Sequence, residues 1–128
     1  MNSFLVSLGG ISAGMIIFQS ALNAPTIFKA FSENEAGPFL RLIFPKLFSC
    51  VFFVSVFGFL LSLFFASVLF QASFLFSALL MAICYLIVPA TNRARDTGND
   101  SSFKRLHTIS VVLTIFTMLS NLSIVFFN

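Results

Sequence analysis

Tryptophan is absent from this 128-residue chain, tyrosine occurs once, and only 9% of the residues are Asp, Glu, Lys or Arg. A soluble domain carries about 25% charged residues. So little charge beside 59% hydrophobic residues excludes a water-solvated surface and describes a chain solvated by lipid. The shortage of Trp and Tyr means that the aromatic belts that often mark a membrane interface are missing.

Further absences narrow the chemistry. Cys50 and Cys84 lie in apolar runs with no Cys-x-x-Cys spacing and no neighbouring His, so neither a zinc site nor a redox dithiol is signalled and both read as packed, reduced thiols. A single histidine offers no Ser-His-acid or Cys-His arrangement. No carboxylate falls inside an apolar run, and Glu33 and Glu35 sit in a short loop where solvation accounts for them, so paired acid–base chemistry has no candidate. No Lys or Arg precedes the first apolar run, which therefore reads as a retained span and not as a signal peptide. The net charge of +3 comes from two short loops and not from a stripe that could track phosphates, which excludes nucleic acid as a partner. The expected partners are the lipid bilayer and either further copies of the chain or a larger membrane complex. No cofactor is predicted.

What is present is apolar length. A helix needs about 20 apolar residues to cross roughly 30 Å of hydrocarbon. Residues 1–28 and 47–92 carry no charge; the first stretch suits one span and the second suits two joined by a turn. A final span follows the charged segment 92–110. The result is one all-α domain over 1–128, an integral membrane four-helix bundle running up-down-up-down, with spans at about 3–31, 38–66, 72–92 and 103–127. The turn between the second and third spans is placed at Ser67–Ser73, around Gln71. Pro38 reads as a first helical position, and Asp100, Ser101 or Ser102 as a cap for the last helix.

Four crossings put both charged loops on one side. Lys29, Arg41, Lys46, Arg93, Arg95, Lys104 and Arg105 all lie in or beside those loops, so the positive-inside rule predicts an N-out, C-out chain whose charged face is cytoplasmic. The expected location is a bacterial inner (plasma) membrane.

Helices in lipid associate through small residues and polar contacts. Ser3, Ser7, Gly10 and Gly14 form one such stripe in the first helix, and Ser55, Gly58, Ser62 and Ala66 another in the second. The last helix carries Lys104, His107, Ser110, Thr114, Thr117 and Asn121 at spacings of three and four. The first helix answers with Ser12, Gln19, Asn23 and Thr26, the third with Tyr85, Pro89, Asn92 and Asp96. Unpartnered polar groups in hydrocarbon are costly, so these stripes are expected to meet inside the bundle toward its charged end. A hydrogen-bonded seam that fixes register accounts for them as well as a ligand site does. Pro25, Pro45 and Pro89 each free the carbonyl four residues earlier, either as simple kinks or to shape a pocket. The lone His107, without companions spaced as a haem or copper site, is expected to hydrogen-bond to Asn92 or Asp96. The candidate polar site is thus Asn23, Pro25, Arg41, Pro45, Tyr85, Asn92, Arg93, Asp96, His107, Ser110 and Thr114. Asp96 and His107 are expected to matter more for bundle stability than Glu33.

The string Pro89-x-x-Asn92-Arg93-x-Arg95-Asp96-x-Gly98, followed by Phe103-Lys104-Arg105-Leu106-His107-x-x-Ser110, resembles the signature of the transmembrane-protein-205-like family, also called domain of unknown function 4149. Ala24-Pro25-x-x-Phe28, Gly37 and Phe44-Pro45-x-x-Phe48 extend the resemblance over nearly the whole chain. Members usually have Asn where this chain has Thr114. The resemblance implies a four-helix membrane protein with the motif at one membrane face, and it implies no reaction. Two functional classes follow: a non-enzymatic membrane protein that binds or passes a small amphipathic or ionic ligand at its cytoplasmic face, alone or within a complex, and a haem- or metal-associated redox membrane protein.

Overall fold

The computed structural model describes residues 1–126, so the expected end of the last span at Phe127 lies outside the described residues. It contains four long helices, α1 (Asn2–Ala30), α2 (Glu33–Phe65), α3 (Val68–Asp96) and α4 (Asp100–Phe126), all long and apolar enough to cross a membrane. Connections of two or three residues leave consecutive helices no option but to run antiparallel. α2 packs on α3, α3 on α4, α4 on α1 and α1 on α2, which closes an up-down-up-down bundle. At about 1.5 Å per residue each helix is roughly 40–50 Å long, well beyond the ~30 Å of a hydrocarbon core.

Local chemistry fixes the helix ends at the three connections, and several of them differ from the sequence expectation. α2 begins at Glu33 and not at Pro38, because Ser32 and Glu35 form a capping box. The Glu35 carboxylate accepts from the Ser32 N–H at 3.1 Å and from the Ser32 hydroxyl at 2.9 Å. Glu33 and Glu35 are therefore first-turn residues that suit the helix dipole. The α2–α3 turn is at residues 66–67, and Gln71 belongs to the first turn of α3. Its Nε2 reaches back to donate to the carbonyls of Ser62 at 3.2 Å and Ala66 at 3.3 Å; Ser62 already accepts from the Ala66 N–H, so Gln71 adds a second bond there and gives the Ala66 carbonyl a partner past the end of α2. α3 closes in a Schellman motif. Gly98 has φ +71°, and the N–H groups of Gly98 and Asn99 donate to the carbonyls of Arg95 and Ala94. Asn99, and not Asp100, Ser101 or Ser102, then caps α4 by accepting from the Ser102 N–H at 3.1 Å.

α1 is continuous but widens to a π-helical turn at Phe18–Asn23, where the Ala24 N–H donates to the Gln19 carbonyl. In an α-helix the Pro25 ring would press on the Ala21 carbonyl. One extra residue per turn removes that clash without breaking the helix.

Three apolar clusters fill the bundle. Ile16, Leu47, Phe48, Val51, Met81 and Cys84 form one, Leu5, Phe70, Phe74 and Ile124 the second, and Ala24, Ile27, Ala36 and Leu40 a third between α1 and α2 near the charged end. The outer surface is as apolar as the core: Phe64 is 77% exposed, Leu86 73% and Phe53 68%. Such a surface is stable only against acyl chains.

The close-approach positions are partly those expected. Ser55, Gly58 and Ser62 are buried. On α1 the expected face is corrected: Ser3, Ser7 and Gly14 are exposed, while Gly9, Ser12 and Ala13 face inward. Two adjacent glycines allow either register, and inward-facing Leu5 and Ile16 select the one through Gly9. A methyl on Gly9 would lie 3.1 Å from the Asn121 carbonyl oxygen, and one on Gly58 would lie 2.7 Å from the Phe74 ring.

Phe74 is fully buried and has no space to retreat. Gly58→Ala is therefore expected to cost about 1–3 kcal/mol by overpacking, whereas Gly14→Ala, which meets nothing within 4 Å, should be neutral or stabilising by up to roughly 1 kcal/mol through helix propensity. Melting of both variants in mild detergent checks the pair; equal losses would overturn the assigned faces.

Candidate polar site

The candidate residues fall into two groups that sit apart along the bundle. The first is a rim at the charged end. Arg41 on α2 and Asp96 on α3 form an ion pair, with Arg41 Nη2 donating to Asp96 Oδ1 at 2.7 Å. This pair brings the start of α2 to the end of α3. Its side chains are 34% and 61% exposed, so solvent screening holds its contribution to under about 1 kcal/mol. Across the α3–α4 connection the Arg95 guanidinium lies 4.8 Å over the Phe103 ring, and that ring stacks on His107 at 5.7 Å and 8°. A cation, a ring and an imidazole thus tie the end of α3 to the first turns of α4. Arg93, Lys104 and Arg105 are exposed, and among the described residues Arg41–Asp96 is the one ion pair.

The second group is an interior seam that runs from mid-bundle, at Cys84 and Ser110, toward the uncharged end. Thr114, Thr117 and Asn121 of α4 are buried. Asn121 Nδ2 donates to Ser77 Oγ at 2.8 Å and to the Thr117 carbonyl at 2.8 Å. Ser120 Oγ donates to the Ser73 carbonyl at 3.3 Å, and Ser73 and Ser123 share a hydroxyl contact at 3.4 Å. Thr114 and Thr117 return their hydroxyls to carbonyls one turn back, at 2.6 and 3.0 Å. The Cys84 thiol donates to the Ser110 carbonyl at 3.8 Å. Contacts of this kind are worth about 0.6–2 kcal/mol each in a membrane, and they fix the α3–α4 register.

The expected convergence at the charged end is therefore corrected. Thr114, Thr117 and Asn121 do face protein, but the hydroxyls of Thr114 and Thr117 return to carbonyls of their own helix, and Asn121 finds its partner across the bundle in Ser77, toward the uncharged end. Tyr85 is half exposed and points out of the bundle, Pro25, Arg93 and His107 are exposed, and Asn92, Pro45 and Ser110 are half-buried. His107 stacks on Phe103 and Asp96 pairs with Arg41, so the expected hydrogen bond between them gives way to two other contacts. The reason is helix length: α3 and α4 continue past the packed interior, and their polar residues there have water to face. A histidine on the rim is also badly placed to ligate a cofactor held between helices.

A third arrangement belongs to the π-helical turn. Asn23 Nδ2 donates to Gln19 Oε1 at 2.7 Å, which fixes the Gln19 amide with its Nε2 buried and without a partner. Ser12 Oγ, Ser55 Oγ and Asn121 Oδ1 are buried in the same condition, each at a cost of about 1–3 kcal/mol. Sequence reasoning missed Ser73 and Ser77, whose spacing of four was a readable signal, and also the Ser32-x-x-Glu35 box.

Four antiparallel apolar helices, a lipid-facing surface and an inward polar seam define a small polytopic α-helical membrane protein. The family model described as domain of unknown function (DUF4149) matches residues 8–88, and the chain belongs to that family. The rim from Asn92 to Ser110 lies beyond the matched stretch. No curated protein and no solved structure shows significant similarity to the chain.

Asn121→Leu is expected to destabilise the bundle by about 1–2 kcal/mol, since it leaves Ser77 unpaired inside the seam. Exposed His107→Ala should change stability by no more than roughly 0.5 kcal/mol. Unfolding of the two variants in detergent measures the difference, and a larger loss for His107→Ala would remove the seam from its structural role.

Proposed function

We propose that the protein is a non-enzymatic membrane module that holds a small amphipathic anion at its charged face, with that face in the cytoplasm and both termini outside. The observation that carries this reading is the rim. Its cations stand on a frame stiffened by the Arg41–Asp96 pair, the Gly98 turn and the Arg95–Phe103–His107 stack, and most of them have no carboxylate to neutralise them. A fixed array of unpaired cations beside a lipid surface raises the local concentration of anions. The exposed Ser3, Ser7 and Gly14 leave a close-approach face of α1 free, which suits association with a second copy or a larger membrane complex.

The helix lengths support this reading. Counting about 20 residues from the uncharged ends of the four helices gives an inner hydrocarbon edge near Ala21, Lys46, Ile87 and His107. The first turns of α2 and the last turns of α3 then stand in the headgroup layer on the cytoplasmic side.

Two measurements test this reading. With Cys50 and Cys84 replaced by Ala, Asn34→Cys and Ser101→Cys are expected to react with an impermeant maleimide only in inside-out vesicles; labelling of either from outside overturns the orientation. Dodecyl phosphate titrated calorimetrically into the full chain in neutral detergent should bind saturably. Arg93, Arg95, Lys104 and Arg105 changed together to Gln should weaken that binding by at least about tenfold, at roughly 1 kcal/mol per cation; an unchanged affinity overturns the role of the rim.

A further inference from the structure

A groove of about 230 Å³ lies between α1 and α2, walled by Met15, Phe18, Ile43 and Leu47 and carrying Gln19 and Lys46. It sits where the π-helical turn Phe18–Asn23 faces α2. Phe18 and Lys46 are exposed, so the groove opens away from the bundle and toward the membrane. Its polar equipment consists of donors. Lys46 supplies an ammonium that is in no ion pair among the described residues. Gln19 is 6% exposed, its Oε1 is already taken by Asn23, and its Nε2 has no partner. No carboxylate lines the groove. Two donors with nothing to donate to, set in an apolar wall, ask for an oxygen-rich anion that carries a hydrocarbon chain.

Depth narrows the occupant. Counted from the uncharged ends, Gln19 on α1 and Lys46 on α2 both fall at the level where hydrocarbon meets headgroups. At that level the available ligand is the phosphodiester of an inner-leaflet lipid, with its acyl chains running along Phe18 and Leu47 toward the bilayer centre. A burden of one positive charge suits one phosphate. The π-helical turn carries both Phe18 and Gln19, which line the groove opposite Ile43, Lys46 and Leu47 of α2.

The geometry points to this groove as the seat of one anionic phospholipid, with Lys46 and Gln19 holding its phosphate. The assignment rests on the reading of the charged face as an anion-binding face and names the ligand and its seat.

The test uses the full chain released from mild detergent in a native mass spectrometer after incubation with phosphatidylglycerol or phosphatidylcholine. The wild type is expected to retain one phosphatidylglycerol in clear preference to phosphatidylcholine. Lys46→Gln should lower that preference roughly fivefold, the worth of one cation near an anionic surface, and Gln19→Leu should lower it in the same direction; both variants are checked for unchanged melting so that a lost fold is not read as a lost site. Glycerol phosphate added in excess should leave the bound lipid in place, and displacement by it would show that the site reads a free anion and overturn the lipid assignment. If Lys46→Gln and Gln19→Leu retain the wild-type preference while the fourfold rim variant loses it, the charged face binds anions and the groove does not. Equal retention of the two lipids by the wild type overturns the groove outright.

Discussion

A polar group placed in hydrocarbon is costly unless it finds a partner inside the protein, and this constraint shapes most of the molecule. It makes each crossing a continuous helix, because only a helix satisfies its own backbone. It explains why the Pro25 disturbance is absorbed as a wider turn and not as a break. It turns serine and threonine hydroxyls back onto carbonyls one turn earlier, as at Thr114, Thr117 and Ser49. It also sends the one buried amide of α4, Asn121, across to Ser77.

The second determinant is close approach. Lipid tails are as good a solvent for Phe and Leu as a neighbouring helix is, so apolar burial contributes little to the choice of partner face. Gly58 admits the Phe74 ring and Gly9 admits the α4 backbone. Large rings are free to point outward, and many of the chain's Phe residues do. The result inverts the usual arrangement: small and polar residues make the specific contacts, while the bulkiest side chains meet the solvent.

The number of helices, their antiparallel order and the grouping of cations at one end were legible from charge gaps alone, because hydrocarbon thickness sets a hard length. Faces were legible where only one register was possible, as with Ser55, Gly58 and Ser62. They were illegible at Gly9–Gly10, where adjacent glycines permit two registers and distant partners decide. Helix ends were legible only through caps. Pro38 looked like a start, but the Ser32–Glu35 pair offers the backbone better partners further back. The site was misjudged along the helix axis: a polar stripe shows which side of a helix is polar, and it does not show how far the packed interior extends. Thr114 to Asn121 lie within it, whereas His107 on the same stripe lies past its edge.

The α2–α3 turn has a consequence for how the chain is made. Between Lys46 and Arg93 the sequence holds no ionisable Asp, Glu, Lys, Arg or His, and the turn at residues 66–67 is closed by a neutral amide, Gln71. Whichever leaflet receives it, this hairpin can be threaded through a bilayer without stripping water from an ion. Its biogenesis should therefore need neither a membrane potential nor help in moving charge, and the two helices can enter as one preformed pair.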